Sequence, residues 1–506
     1  MKLKICFIGA GSLGFTRQLL ADCMSVPELR AAEISFMDIN PHNLEMVTQL
    51  CQRDLEANGI PTKIHSTTNR REAFKDANYV INSVRVGLLE AFELDVEIPL
   101  KYGVDQCVGD TLCIGGIMYG QRGVAAVLDF CKDMREVSAP GVLHLNYANP
   151  NAMMTWACNE YGGVPTIGLC HGEIHGESQI AEALGYKHEE LDFICAGLNH
   201  QTWYISVKKD GRELTGELLE AFEKHPVYKE QEKVRIDILR RFGYYSTESN
   251  GHLSEYVPWY RKRPAEIPSW ISLDSWIHGE TAGYLRVCRE GRNWFVADFP
   301  NFMKAPPKTY DGTERGKEHA SYIIEALETR RRYRGHFNVV NNGCISNLPD
   351  DCIVEVPCYV DGNGLSVPRV GDLPYGCAAV CGQSVNVQRM AVRAAVTGDV
   401  QLLKQAALLD PLTGAVCNPP EVWQMVDEML IAQEKWLPQY KDAIAKIKID
   451  WEKAEADGSL IPPRDYKGAA RIPERSLDEM GGSESAKRMM RKIASAAAKE
   501  NVKDEG

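Results

Sequence analysis

The sequence lacks the segments by which a chain enters or crosses a membrane. None of its 506 residues belongs to an apolar run approaching the roughly 20 residues that span a bilayer. The apolar stretch at residues 1–8 is too short for a secretory signal and runs directly into a glycine loop. These absences predict a cytoplasmic protein with no membrane partner.

The sequence also lacks a cysteine framework and an excess of basic residues. Its 16 cysteines include no CxxC pair, and their scatter predicts buried free thiols in a reducing compartment. Acidic residues (69) outnumber lysine and arginine (57), which gives a formal net charge of −12. That charge argues against nucleic acid as the main partner.

What the chain does contain is an N-terminal dinucleotide-binding pattern. A short apolar strand ends in the glycine loop GAGSLG at residues 9–14, and a helical pattern follows. The first glycine permits a tight turn, the second lets the backbone approach a pyrophosphate, and the third allows close helix–strand packing. A second strand is predicted at residues 33–37, and an acid at the end of that strand binds the ribose hydroxyls and disfavours a 2′-phosphate. We therefore expect NAD rather than NADP, bound by Gly9, Gly11, Ser12, Gly14 and Asp38.

Buried strands and helical patterns continue to alternate after the glycine loop, with strands at residues 79–84 and 142–147 and a helix at 120–137. The pattern predicts an α/β fold with an N-terminal Rossmann-type parallel sheet and a C-terminal α+β domain, a lactate/malate dehydrogenase-like architecture. A chain of this length favours more than one domain. We place an NAD-binding domain at 1–195, an α+β substrate and metal domain at 196–450, and a charged C-terminal extension with a terminal helix at 451–506.

Three polar clusters fall at predicted strand ends, where ligands of open α/β sheets bind. Residues 109–116 (GDTLCIGG) are expected to form a flexible loop that carries an acid. The NYANP segment at 146–150 ends a strand with two amides, and CHGE at 170–173 follows another predicted strand.

Cysteine and histidine are good ligands for divalent transition metals, so the third cluster admits a metal site. Adjacent residues on a strand point to opposite faces, which argues against Cys170 and His171 binding one ion together. His171 and His175 have the spacing of an HExxH zinc helix, but Gly172 stands where that helix needs glutamate. From spacing alone, Cys170 is either a metal ligand or a small buried residue. His200 is likewise either a ligand or a structural histidine.

The order of these motifs resembles glycoside hydrolase family 4, the NAD- and metal-dependent glycosidases, over about residues 3–445. The resemblance implies oxidation of the sugar at C3, loss of the C2 proton beside a metal ion, elimination at C1, water addition and re-reduction. No net redox change results. The matching stretches are the glycine loop with Asp38, GDT and GG within 109–116, Asn149-Pro150, Cys170-His171-Gly172, Leu198-Asn199-His200, and NLPDD leading into VEVP at 347–357.

The resemblance also implies roles for individual residues. Cys170 and His200 match the family's ligands for a divalent metal, with manganese expected. Asn149 matches a substrate-contacting asparagine, and we place Asn199 with it as substrate-binding. Asp110 is a candidate catalytic residue in its loop.

Two further catalytic roles follow from the resemblance. His171 occupies the position where phosphosugar-cleaving members carry Asp or Asn, and we expect it to assist the leaving group. Those members take their base, a tyrosine, from the segment equivalent to residues 250–258. His252 stands where that tyrosine would be and Tyr256 follows one turn later, so both are candidates for the base.

The same positions bear on the substrate. Cys170-His171 resembles the branch that acts on unphosphorylated α-glycosides, and residues 242–260 resemble those of α-galactosidases. Gly172 departs from that branch, because Cys-His-Gly resembles α-glucuronidase-like members. We expect an α-galactosidase acting on a small oligosaccharide or glycoside, with α-glucuronidase or α-galacturonidase and α-glucosidase as alternatives. The family also implies a homodimer or homotetramer.

Two other classes share the predicted fold. A 2-hydroxyacid-type dehydrogenase needs an arginine pair and a His–Asp couple, and Arg85 with Arg122 is a candidate pair. Such an enzyme is shorter and would leave Cys170 and His200 without a role. An NAD-sensing regulatory protein would not need polar residues clustered at strand ends.

Overall fold

The protein is described by a computed structural model over residues 2–273, 278–291, 294–313 and 315–475. The helix predicted at the end of the chain lies outside these residues. Within them, every helix is too short or too polar to span a bilayer. All 16 cysteines are free, and all except Cys170 and Cys288 are buried, as predicted.

A single mixed sheet runs through the molecule, in the order β3-β2-β1-β4-β5-β6-β10-β11-β7-β8-β9, with β12 beside β11. The strands are β1 (Lys4–Ile8), β2 (Glu33–Met37), β3 (Ile64–Thr67), β4 (Tyr79–Asn82), β5 (Leu143–Asn146), β6 (Thr166–Gly168), β7 (Asp192–Leu198), β8 (Gln201–Lys209), β9 (Arg212–Glu213), β10 (Tyr333–Val340), β11 (Ile353–Asp361) and β12 (Gly364–Ser366).

Helices connect and cover these strands. They are α1 (Leu13–Met24), α2 (Pro41–Ala57), α3 (Arg70–Phe74), α4 (Leu88–Lys101), α5 (Cys113–Val137), α6 (Asn151–Ala157), α7 (Gly172–Leu184), α8 (Leu218–Lys224), α9 (Tyr228–Gln231), α10 (Lys233–Phe242), α11 (Asn250–Tyr256), α12 (Gly283–Glu290), α13 (Trp294–Lys304), α14 (His319–Thr329), α15 (Tyr375–Thr397), α16 (Val400–Leu409), α17 (Pro411–Val416), α18 (Pro419–Ala432) and α19 (Lys441–Asp457).

The six strands β1 to β6 are mutually parallel, which confirms the predicted N-terminal Rossmann-type sheet. The central strands β1 and β4 are buried along their whole length, because helices cover both faces of a parallel sheet. Helix α2 begins where it does because the Asn40 side chain accepts the backbone N–H groups of His42 and Asn43 at 3.1 Å.

The rest of the sheet is antiparallel and joins the first part through one residue pair, Asn338 of β10 beside Gly168 of β6. The predicted boundary between residues 195 and 196 falls inside β7, so the sheet passes from one proposed domain to the next without a break. The division into three domains stays a prediction.

The described part of the predicted extension does not stay apart from the body. Residues 461–475, called here the C-terminal strap, lie against the segment 102–112 that joins α4 to α5. The Arg464 backbone N–H donates to the Lys101 carbonyl at 2.7 Å, and the Tyr466 hydroxyl donates to Asp105 at 2.5 Å. The strap therefore contacts the polypeptide that carries Asp110.

Candidate active site

The predicted site residues meet beyond the carboxyl ends of the parallel strands. The glycine loop follows β1, Asn149 follows β5, and Cys170 lies two residues after β6. His200 comes from the turn between β7 and β8, in the antiparallel part of the sheet. The parallel topology brings the first three to one edge, as expected for an open α/β sheet.

The glycine loop has the geometry of a phosphate-binding turn. Gly9 has φ +83°, and a Cβ atom there would lie 3.0 Å from the Ser83 backbone. The Gly11 N–H donates to the Asp38 carboxylate at 2.8 Å, which fixes the acid beside the loop. The predicted packing role of Gly14 is wrong, because a Cβ atom there would meet nothing within 4 Å. Gly14 instead borders open space at the helix start.

That open space fits a dinucleotide. Helix α1 has no acid in its first turn, and its N-cap Ser12 makes no capping side-chain hydrogen bond. The N–H groups of a first turn have no partner inside the helix, so here they face outward as donors for phosphate oxygens. Ile39, next to Asp38, is 77% exposed and offers an apolar surface beside the same loop.

Asp110 lies at the centre of the polar residues. Its carboxylate accepts from the Asn149 amide at 3.1 Å and from Arg85 at 3.3 Å. Burial acts to raise the pKa of Asp110, but Arg85, His252 and His200 together hold the pKa below its ordinary value. Asp110 is therefore a buried carboxylate that stays ionised and orients Asn149.

The segment 102–112 around Asp110, called here the acid loop, is not the flexible loop that we expected. The Glu255 carboxylate accepts the backbone N–H groups of Cys107, Val108 and Gly109 at 2.7 to 3.0 Å. Asp110 is 3% exposed and Thr111 is fully buried. Residues 113–116, expected to continue the loop, form the first turn of α5, where a Cβ atom on Gly116 would lie 2.4 Å from Thr111.

Cys170 and His200 lie together, with a third group that sequence reasoning missed. Cys170 Sγ is 3.2 Å from His200 Nε2, and Glu248 Oε1 lies 3.9 Å from that sulfur and 3.7 Å from that nitrogen. Burial, together with Glu248 and other carboxylates, raises the pKa of the Cys170 thiol well above its ordinary value. A cation is therefore needed here to hold the thiolate.

The hydrogen bonds of His200 point its second nitrogen toward Cys170. Thr111 Oγ1 donates its one proton to Asp110 at 2.9 Å. It therefore accepts a hydrogen bond from the Nδ1–H group of His200, also at 2.9 Å. Nε2 then carries the lone pair. Such a partner on the far nitrogen is what orients metal-binding histidines, and the set of sulfur, imidazole and carboxylate fits a divalent transition metal.

His252 and Tyr256, the two candidates for the base, differ in access. The His252 ring is 5.2 Å from the His200 ring, and its Nδ1 atom lies 2.7 Å from Ser249 Oγ. Burial lowers the pKa of His252. Tyr256 is fully buried, and its hydroxyl has no hydrogen-bond partner among the described residues. Burial raises the pKa of that hydroxyl well above its ordinary value.

The two remaining candidates, His171 for the leaving-group acid and Asn199 for substrate binding, differ in exposure. The His171 side chain is 68% exposed, and its Nδ1 atom lies 3.2 Å from Glu318, whose carboxylate raises the pKa of His171. Asn199, predicted to bind substrate, is fully buried, and its amide donates to Glu355 at 3.5 Å. His171 thus borders the open side of the site, and the contact of Asn199 is with an inner carboxylate.

The arginine pair of the dehydrogenase alternative is not formed. Arg122 is buried and donates to both Asp95 oxygens at 2.5 and 2.8 Å. Arg85 alone reaches the site, where its guanidinium lies over Phe92 and Tyr119. Thr111, Glu248 and Glu255 lie within stretches that carried the resemblance, but no role was predicted for them because no spacing marked their side chains.

Together, the fold and the site define a class: a Rossmann-type enzyme with a dinucleotide loop beside a Cys–His–carboxylate group. Comparisons with known proteins identify the family within this class. The family model "Family 4 glycosyl hydrolase" matches residues 4–186, and "Family 4 glycosyl hydrolase C-terminal domain" matches residues 195–413. This protein belongs to glycosyl hydrolase family 4, which confirms the resemblance and makes it a glycoside hydrolase.

Similar proteins lie in the same family. An α-galactosidase of Rhizobium meliloti (strain 1021) is 56% identical over 487 residues, covering 96% of this chain and 98% of that protein. An α-galactosidase of Bacillus subtilis (strain 168) is 36% identical, over 87% of this chain and all of that protein. A 6-phospho-β-glucosidase of Thermotoga maritima, solved with manganese, NAD⁺ and glucose-6-phosphate, shares the fold with a TM-score of 0.70, at 23% identity over 86% of this chain and 99% of the solved one.

Proposed function

We propose that this protein is an NAD- and divalent-metal-dependent α-galactosidase. The carrying observation is that Cys170 and His200 lie 3.2 Å apart at the strand ends where the dinucleotide loop opens. The galactoside preference is supported by two related α-galactosidases, which are similar along nearly their whole length. NAD and manganese are supported by the solved family structure that contains both.

When bound, NAD would accept and return one hydride at C3 of the sugar, and the divalent ion would polarise the oxygens on C2 and C3. In our proposal, Gly9, Gly11, Ser12, Gly14 and Asp38 hold the dinucleotide, through the loop, the first turn of α1 and the ribose. Cys170 Sγ and His200 Nε2 face the ion. Asn149, fixed by Asp110, donates to a sugar hydroxyl, and we retain Asn199 as a substrate contact to be tested.

His252 is the stronger candidate for the base that removes the C2 proton. Its imidazole lies beside His200, within the group formed by Asp110, His200 and His252. A base must come within hydrogen-bond reach of the proton it takes. The Tyr256 hydroxyl lies one helical turn further on and is fully buried, so a bound sugar could not reach it without movement of the helix.

His171 is the candidate acid for the leaving group. It is exposed at the start of α7, next to Cys170, and its contact with Glu318 supports the protonated form. An aglycone departs toward solvent, so an acid on the open side of the site suits that step. In this proposal, Asp110 acts by fixing the side chains of Asn149 and Arg85 through hydrogen bonds.

The test is hydrolysis without net redox change. The protein is incubated with NAD, Mn²⁺ and a thiol reductant, then offered p-nitrophenyl α-galactoside, α-glucoside and α-glucuronide. Release of nitrophenol from the galactoside, without accumulation of NADH, supports the proposal, and a slower rate with C2-deuterated galactoside supports proton removal at C2. Stoichiometric NADH formation from a 2-hydroxyacid, with no glycoside cleaved, would refute it. Preference for the glucuronide or glucoside would move the substrate assignment to those alternatives.

We also retain a cytoplasmic homodimer or homotetramer as a proposal, on composition and family resemblance. Light scattering on the purified protein tests the oligomeric state. A monomer at micromolar concentration would contradict it.

A further inference from the structure

Glu248 is a mostly buried carboxylate that the expected roles do not use. It directly precedes Ser249, the N-cap of α11, and its side chain is 14% exposed. Its ion-pair partners among the described residues are two histidines, His200 at 3.7 Å and His252 at 3.8 Å. A carboxylate held away from water needs positive charge nearby.

The position of Glu248 matches that of an ion ligand. Its Oε1 atom, Cys170 Sγ and His200 Nε2 form a triangle with sides of 3.2, 3.7 and 3.9 Å. Tetrahedral metal–ligand bonds of about 2.0 to 2.3 Å place neighbouring ligand atoms about 3.3 to 3.8 Å apart. The observed sides lie within about 0.1 Å of that range, so one ion could touch all three atoms after a small adjustment.

Gly172 makes this position of Glu248 possible. A Cβ atom on residue 172 would lie 1.7 Å from Glu248 Oε1. The Gly172 N–H also donates to Cys170 Sγ at 3.3 Å, a contact that favours the thiolate. The glycine that departs from the expected α-galactosidase pattern is therefore the residue that lets a carboxylate approach the sulfur.

We propose that Glu248 is a third protein ligand of the divalent ion, so that this chain offers a Cys170–His200–Glu248 set where the resemblance implied a Cys–His pair. This inference rests on the proposed metal dependence. A thiolate and a carboxylate together balance the charge of a divalent cation, and three protein ligands leave the remaining positions for substrate oxygens.

The test is metal affinity, measured without turnover. Chelator-treated protein with NAD is titrated with Mn²⁺ while free Mn²⁺ is followed by electron paramagnetic resonance. We expect Glu248→Gln to weaken Mn²⁺ binding by about tenfold or more. The visible spectrum of the Co²⁺-loaded variant should also change, because a ligand is lost. The matched control is Glu177→Gln, which removes another buried carboxylate, one that is hydrogen-bonded to His188 at 2.8 Å. This control should bind Mn²⁺ with wild-type affinity.

A second variant keeps the carboxylate but displaces it. Gly172→Ala should lower Mn²⁺ affinity in the same direction, because the new methyl group occupies the position of Glu248 Oε1. If Glu248→Gln does not fold, the Mn²⁺ affinity of Gly172→Ala tests whether Glu248 is a ligand.

Other outcomes separate the two proposals. If Glu248→Gln binds Mn²⁺ within twofold of wild type while Cys170→Ser does not bind, Glu248 is not a ligand. A raised KM with unchanged Mn²⁺ affinity would instead make Glu248 a sugar contact and overturn the inference. If Cys170→Ser also binds normally, the ion site of the proposed function is itself misplaced.

Discussion

At the scale of single residues, the chemistry of the site depends on which partner each side chain has. His200 is directed toward Cys170 because Thr111 occupies its other nitrogen. Asp110 stays ionised in a buried place because the Arg85 guanidinium faces it. Cys170 has the opposite surroundings, since burial and then nearby carboxylates raise the pKa of its thiol. A cation at this point would relieve that unfavourable charge and bind the thiolate.

Cys170→Ser should therefore abolish hydrolysis and Mn²⁺ binding together. A serine hydroxyl does not ionise to bind a transition metal as a thiolate does. Activity against p-nitrophenyl α-galactoside and Mn²⁺ affinity are measured on the same preparation. Cys288→Ser, a second partly exposed cysteine, is the control and should leave both unchanged. Full activity of Cys170→Ser would remove the metal assignment.

The identity of the base is tested by a pair of substitutions. His252→Phe should lower kcat by about 10²- to 10⁴-fold, the usual contribution of a general base. Tyr256→Phe should keep kcat within a few fold, because the tyrosine is fully buried and its hydroxyl has no hydrogen-bond partner in the described part of the chain. NAD binding, followed by fluorescence quenching, should persist in both. Loss of activity in Tyr256→Phe alone would reverse the assignment.

At the scale of elements, the acid loop is held from several directions. Glu255 of α11 accepts three of its backbone N–H groups. Asp105 is paired with the buried Arg261, accepts from Thr281 at 2.8 Å, and also accepts from Tyr466 of the strap. Since Asp110 lies five residues after Asp105, these contacts limit how far the site carboxylate can move. The strap, which is part of the predicted charged C-terminal extension, belongs to this support.

Tyr466→Phe should therefore weaken the acid loop. A hydrogen bond to a charged group contributes about 1.5 to 3 kcal/mol, so we expect a lower Tm and a several-fold lower kcat/KM. Tyr375→Phe is the matched control, because that tyrosine is 87% exposed. Equal Tm and kcat/KM in Tyr466→Phe and wild type would show that the strap does not support the loop.

At the scale of the whole molecule, several histidines are buried in the body as neutral side chains. Burial lowers the pKa of His144 and His319 to about 4 and that of His336 to about 3. In the unfolded chain these histidines bind protons near pH 6.5. The unfolded state therefore gains protons first as the pH falls. Stability contributed by their neutral burial is fully present above pH 6.5 and is lost progressively between about pH 6.5 and 4.

We expect the free energy of unfolding, measured by urea titration, to fall as the pH is lowered from 6.5 to 5, by up to about 1.4 kcal/mol per pH unit for each such histidine. His144→Asn should reduce that slope, because the variant has one fewer group to protonate, while Thr166 keeps a polar partner nearby. The comparison uses the slope, so any constant loss of stability in the variant does not affect it. Identical slopes in both proteins would contradict the prediction.

The local pattern of the sequence determined much of this protein. Strand β2 was predicted with its observed ends, Glu33 and Met37, because a run of apolar residues between turns can be buried in few ways. The glycine loop and Asp38 were predicted as parts of one dinucleotide site, because a βαβ pattern places the ends of its two strands side by side. The helix expected at 120–137 begins seven residues earlier, at Cys113, because Thr111 and Gly116 pack closely enough to turn the expected loop into helix.

Only the tertiary structure decided which distant residues meet. Cys170 and His200 were expected as ligands from a family resemblance, but their spacing of thirty residues says nothing about distance. Glu248 had no predicted role and reaches the sulfur only because residue 172 has no side chain. The strap contacts the acid loop although more than 350 residues of chain separate them. Such contacts depend on the path of the whole backbone, because a side chain's partners are set by packing, while short-range propensities act over a few residues.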